Sequence, residues 1–210
     1  KILRSAFIGN SASGNGGAVS VHGANVVDEL IVLNSTFSAN TASSGGALDV
    51  GINNPAWLGN TTLVDNLATA AGQADDIESS SALVTITLSN SILTHPSIGG
   101  VNPECGNAGA AVTMDGANNL IDTGASCLGS AAGFRIGAIT TGTLGGLDFH
   151  GGPSRSYSLV NVAGNNAVDN PVVGQCLNPR SGVVLDRDQR SRPRPTGAGA
   201  LCDIGSFERQ

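Results

Sequence analysis

The stretch Asn34-Ser35-Thr36-Phe37-Ser38-Ala39-Asn40-Thr41-Ala42, followed by Gly45-Gly46-Ala47-Leu48, decides the reading of this chain, because an earlier stretch repeats it. Ser5-Ala6-Phe7-Ile8-Gly9-Asn10-Ser11-Ala12 is followed by Gly16-Gly17-Ala18-Val19 in the same order. A third copy runs Asn60-Thr61-Thr62-Leu63-Val64-Asp65-Asn66-Leu67-Ala68, then Gly72-Gln73-Ala74, and a fourth begins at Asn90-Ser91-Ile92-Leu93. The apolar anchors Phe7, Phe37, Leu63 and Leu93 are spaced 30, 26 and 30 residues apart. Self-similarity at this period marks one coil of a solenoid, which cannot bury its apolar face until a neighbour stacks on it. Short apolar runs between the anchors, Ile31-Val32-Leu33 and Leu83 to Leu88, read as the strands.

The expected fold is all-β, a right-handed parallel β-helix. Phe7, Phe37, Leu63 and Leu93 are expected to stack as a core ladder. Asn10, Asn40 and Asn66 are expected to form a second ladder at a turn, where Asn tolerates left-handed backbone and its amide bonds the next coil. The Gly-Gly-Ala step follows, where coils approach closely.

Composition supports short strands and tight turns over a large globular core. Of 210 residues, 30 are Gly, 3% are aromatic and 12% are charged. The net charge is −6, with only 10 Lys and Arg, which argues against a nucleic-acid or anionic-membrane binder. No apolar run approaches the roughly 18 residues of a membrane span. The residues Lys1 to Phe7 read as the middle of a strand, so the reading expects an N-terminal part, removed by processing or left out, and an open first coil.

The four cysteines, Cys105, Cys127, Cys176 and Cys202, are even in number and contain no C-x-x-C pair, while His22, His95 and His150 are scattered. This favours two disulfides in an oxidising compartment over a zinc site, and no metal or other cofactor is expected. Neighbour pairing, Cys105–Cys127 and Cys176–Cys202, is preferred among three possible connectivities, each bond being worth about 3 kcal/mol.

Beyond Thr94 the repeat fades, which divides the chain into coils over 1–95 and a continuous finishing segment over 96–210. The tail of that segment is specific. Asp188-Gln189-Arg190-Ser191-Arg192-Pro193-Arg194-Pro195, then Cys202-Asp203-Ile204-Gly205-Ser206-Phe207-Glu208, resembles the ending of the choice-of-anchor Q domain. Asn119-Leu120-Ile121-Asp122 before Cys127, Gly151-Gly152-Pro153-Ser154 and Gly164 to Asp169 resemble further stretches of that family. The sequence departs from the family at His150, Ser154, Asn165-Asn166 and Ser191. The N-terminal copies resemble the G-G-A and F-x-x-N repeats of polymorphic outer-membrane proteins. The resemblance implies a bacterial secreted or cell-surface protein, a right-handed β-helix and no assigned chemistry.

Arg190 and Arg194 can fork onto Asp188, Asp203 or Glu208, which reads as a cap network that covers the last coil, in preference to an anionic-sugar site. Asp75, Asp76 and Glu78 are the best candidates for a carboxylate pair. Asp75 and Asp76 are adjacent, though, and would point to opposite faces of a strand, so they read as a solvated turn. Asp148 with His150 reads as a loop-ordering pair. No catalytic residue is assigned. The leading expectation is a non-enzymatic structural or adhesive surface protein that self-associates through its open N-terminal coil, head to tail, into a filament or sheath. The alternatives are a carbohydrate-active enzyme on extracellular polysaccharide, or a glycan-binding module using Trp57 or Tyr157.

Overall fold

A computed structural model describes residues 1–23, 29–52, 55–79, 85–96, 102–107, 113–122, 127, 135–137, 143–169 and 174–210. The first coil consists of β1 (Ile2–Leu3), β2 (Ala6–Ile8) and β3 (Val19–Gly23). The second has β4 (Leu30–Leu33), β5 (Thr36–Ser38), β6 (Thr41–Ala42) and β7 (Leu48–Ile52). The third has β8 (Ala56–Gly59), β9 (Thr62–Val64), β10 (Leu67–Ala68) and β11 (Ile77–Ser79). The fourth has β12 (Thr85–Ser89), β13 (Ile92–Thr94) and β14 (Cys105–Asn107). Then come β15 (Thr113–Asp115), β16 (Asn119–Ile121) and β17 (Arg135–Gly137). An antiparallel pair, β18 (Leu144–Asp148) and β19 (Ser156–Leu159), forms a sheet of its own. Leu83 and Val84, read as strand, lie outside the described residues.

Corresponding strands of successive coils pair in parallel. They make sheets ordered β1-β4-β8-β12-β15, β17-β16-β13-β9-β5-β2 and β14-β11-β7-β3, with a short β10-β6 pair at one corner. This is a parallel β-solenoid, and the described residues contain no helix. No helix among them is long and apolar enough to cross a membrane.

Each sheet sends side chains inward in columns. Phe7, Phe37, Leu63, Leu93 and Ile121 are register partners. The Phe7 and Phe37 rings stack with centroids 5.0 Å apart. A second column is Ile2, Val32, Leu58 and Leu88. The third is Val19, Leu48, Ile77 and Cys105. Cys105 is disulfide-bonded to Cys127, and both belong to this main core. The bond therefore continues a core column instead of fastening a surface loop.

The corner between the first two sheets explains the Asn that opens each repeat. Arg4, Asn34, Asn60, Asn90 and Asn118 occupy it in turn, all with φ between 48° and 62°. Asn accepts this left-handed conformation at less cost than other non-glycine residues. At the next corner the left-handed residues are Gly9, Ala39 and Asp65. They immediately precede Asn10, Asn40 and Asn66, so the turn ladder does not itself carry the strained backbone.

The Gly-Gly-Ala step packs coil against coil. A Cβ on Gly17 would sit 2.2 Å from the Gly46 carbonyl oxygen, and one on Gly46 would sit 2.4 Å from that of Asp75. The register also corrects the third copy. One residue before the paired Val19, Leu48, Ile77 and Cys105 stand Ala18, Ala47, Asp76 and Glu104. Ala74-Asp75-Asp76, not Gly72-Gln73-Ala74, thus occupies the Gly-Gly-Ala position.

Among the described residues, the C-terminal segment runs back along the side of the solenoid, over the corner that carries the left-handed asparagines, and not across its end. The Asn34 amide donates to the Arg187 carbonyl, Thr36 Oγ1 to Gln189 Oε1, and the Ser206 amide to Thr62 Oγ1. Gly205 N–H donates to the Asn90 carbonyl. A separate apolar cluster of Ile92, Leu120, Leu159, Ala167, Ile204 and Phe207 glues it down. Its disulfide, Cys176–Cys202, is buried in this lateral brace.

Candidate functional site

The turn ladder is a one-way chain of amides. Asn10 Nδ2 donates to Asn40 Oδ1 at 2.8 Å, and Asn40 Nδ2 donates to Asn66 Oδ1 at 2.8 Å. Each Oδ1 also accepts the backbone N–H of the preceding rung. Asn40 and Asn66 donate back to the Phe7 and Phe37 carbonyls. A chain with this polarity needs an acceptor at its end. Asn66 Nδ2 donates to Asp76 Oδ1 at 2.8 Å, and this carboxyl oxygen, as an acceptor, terminates the chain.

Around that terminus the coils place an acidic cluster. Asp76 and Glu104 are stacked in register, with 0% and 3% exposure. His95, from the turn after β13, lies beside them, its Nε2 4.0 Å from Asp76 Oδ1. Its Nε2 is 2.8 Å from the Asn66 carbonyl oxygen. Its Nδ1 lies 2.8 Å from Glu104 Oε1 and 2.7 Å from Oε2. The better-aligned hydrogen bond is to Oε1, and Oε2 has no hydrogen bond of its own. Asp76 Oδ2 and Asp75 Oδ2 are likewise buried without partners, while Asp75 Oδ1 accepts from Ala68 N–H and Asn102 Nδ2.

Burial raises the Asp76 carboxyl well above its ordinary range, and the neighbouring Glu104 charge adds to this. Burial by itself would lower His95, but the Glu104 hydrogen bond and the charges of Asp76, Glu104 and Asp75 prevail and raise it to about 10. Asp75, Asp76 and Glu78 therefore do not form a solvated turn: all three are buried. Glu78 accepts the Ala74 N–H, and burial raises its carboxyl. Sequence reading missed this cluster because His95 was scored against other histidines. Its partners come from the same position of two successive coils, a 28-residue spacing that carries no motif.

The second polar centre is the Arg–carboxylate network of the lateral segment. Arg190 Nε donates to Asp188 Oδ2 at 2.8 Å, its Nη2 to the Glu208 carbonyl, and its guanidinium lies 3.6 Å from the Phe207 ring centroid. Arg194 Nη1 donates to Glu208 Oε2 at 2.7 Å, and Nη2 donates to Asn34 Oδ1 at 3.1 Å and the Gly205 carbonyl at 2.8 Å. Asp203 accepts the backbone N–H groups of Asp169 and Arg209. Burial raises Glu208 to about 7 against the opposing charge of Arg194. The structure brings Asp188, Arg190, Arg194, Asp203 and Glu208 together, and all five are buried. Their position is lateral, from the last residues of the chain to the second coil.

The aromatic candidates are both engaged. Tyr157 Oη is 2.8 Å from Ser38 Oγ, and Arg180 lies over the Trp57 ring. Asp148 accepts the Phe149 N–H, and His150 Nε2 meets the Gly146 carbonyl, each within its own loop.

Residues 4–22, which span β2, the Gly16-Gly17 turn and most of β3, match the model of the Chlamydia polymorphic membrane protein repeat. No curated protein and no solved structure matches the chain.

Proposed function

We infer that this chain is the shaft of a bacterial surface protein, with a structural or adhesive role and no catalysis of its own. The observation that carries the reading is the polymorphic-membrane-protein repeat at residues 4–22, seated on the first coil of a solenoid whose later coils extend the same pattern in register. Two disulfides agree with an extracytoplasmic location. The carboxylates that would suit polysaccharide cleavage, Asp75, Asp76 and Glu78, are sealed from solvent, which speaks against a substrate reaching them. The tail motif supports a choice-of-anchor Q type of finishing segment. Antibodies against residues 1–210 should label intact cells of the source bacterium. Signal that appears only after lysis overturns the reading.

Head-to-tail self-association is part of this proposal, since coils of one pattern pair with one another in parallel register. A concentration-dependent rise in mass by light scattering is the expected result, and a strictly monomeric chain counts against it. Glycan binding is a second reading. It draws on the groove lined by Ser89, Asn90, Asn118, Gln175 and Asn178, into which a row of amides could donate to hydroxyls. The test is a glycan array, with Asn178→Ala as the control.

A further inference from the structure

We propose that Asp76, His95 and Glu104 form a buried site for one divalent transition-metal ion of the zinc class, bound through His95 Nδ1 and one oxygen from each carboxylate. One donor atom from each residue lies within 4.8 Å of the other two. The orientation of the imidazole is the first argument. The Asn66 carbonyl has no proton to give, so the 2.8 Å contact places the hydrogen on Nε2. Nδ1–H donates to Glu104 here, so binding exchanges that one proton for the ion while Nε2 keeps its carbonyl. Metal-ligating histidines are held in this way, with the second ring nitrogen donating to a backbone carbonyl or carboxylate. Asp76 is held similarly, its Oδ1 fixed by the Asn66 amide while Oδ2 is left without a partner.

The second argument is the Asp76 carboxyl. Its Oδ2 is buried and lacks a hydrogen bond, while Glu104 Oε2 has only the 2.7 Å approach of His95 Nδ1. A buried acceptor left unpaired is destabilising, the more so when charged. Asp76, Glu104 and the adjacent Asp75 face one imidazole, and a dication would neutralise the stacked pair. One nitrogen with two carboxylates suits zinc, whereas calcium takes six to eight oxygens. Metal–donor bonds of about 2.0–2.1 Å separate donor atoms by roughly 3.3 Å. Loading therefore widens the His95–Glu104 approach by about half an ångström and draws in Asp76, whose nearest oxygen is 4.0 Å from the ring at Nε2. The coils also provide the room: the in-register positions in the first two coils are Ala18 and Ala47, so carboxylates appear only where His95 comes in. The other close group, Cys176, Cys202 and Glu208, has its sulfurs in a disulfide and offers no thiolate.

Because the site is sealed, loading is coupled to folding. The intact chain should be refolded, with its disulfides oxidised, in the presence of Zn2+, then dialysed and assayed for metal. About one zinc per chain is expected. His95→Gln and Asp76→Asn should each abolish retention, while His22→Gln should keep it. The loss should exceed the roughly 10–100-fold typical of an outer-shell change. Should the variants misfold, X-ray absorption on the zinc-loaded wild type decides independently. One imidazole with oxygen ligands supports the site; sulfur ligands overturn it. Retention of no stoichiometric zinc, or equal retention by His95→Gln, also overturns it, and so does equal loading by Ca2+ or Mg2+.

Discussion

In the coils, Phe37 stacks on Phe7 and pairs with Leu63, each the same position of a neighbouring repeat. In the lateral segment, Arg194 reaches Asn34, 160 residues away, along with Glu208 and Gly205. The coils distribute their stability over many equivalent rungs, so each rung depends mainly on the two beside it. The lateral segment concentrates it in a few buried charges, one disulfide and a small apolar cluster. A deletion in the first region should therefore stay local. In the second, one deletion should release the whole segment.

The largest test of that contrast is Arg194→Leu. It leaves Glu208 buried without its cation and Asn34 Oδ1 without its donor, with an expected loss of about 3–5 kcal/mol in chemical denaturation. Limited proteolysis should then cut between residues 174 and 210 while the coils resist. Replacing both Cys176 and Cys202 by Ala is next, at about 3 kcal/mol for a bond closing 26 residues. It should expose the same segment. Asn40→Ala interrupts the amide chain within the coils and should cost about 1–3 kcal/mol. Hydrogen exchange should quicken at the Asn10 amide, which loses its Asn40 Oδ1 acceptor, and leave the lateral segment protected.

A pH series separates the two regions. Both Glu208 and His95 have raised folded values, so the folded state holds protons that the unfolded chain releases, and stability falls as pH rises. For Glu208 the window runs from its ordinary 4.5 to about 7. In metal-free protein the His95 contribution is complete below 6.5 and is lost through about 10. Asp76, also raised, has the same sign. Urea midpoints across pH should show Glu208→Gln flattening the lower window and His95→Gln the upper one. A midpoint that rises with pH in either window contradicts the assignment.

The coil stacking was legible because its signal is local and repeated. Spacings of 30, 26 and 30 are the offsets between strand partners in the sheet that carries Phe7, Phe37, Leu63 and Leu93. Asn34, Asn60 and Asn90 were visible as the first residue of each copy, but their left-handed backbone was assigned to the wrong Asn column. The third Gly-Gly-Ala position was misread because Gly72 offered a closer letter match than Asp75-Asp76. Only the hydrogen-bond register tells them apart. The cysteine pairing preferred from spacing, Cys105–Cys127 and Cys176–Cys202, is the pairing in the structure.

The amino-acid sequence alone determined the class of fold, a parallel β-solenoid, since one coil's periodic apolar residues can be buried only by another like it. Tertiary structure alone decided that the C-terminal segment braces the side of the rod, and that Asp76, His95 and Glu104 meet. Neither follows from a period. The brace depends on the shape and unmet hydrogen bonds of a corner that exists only after the coils stack. The cluster depends on two carboxylates from successive coils and a histidine from the turn beside them, brought together at the end of an amide chain by the register.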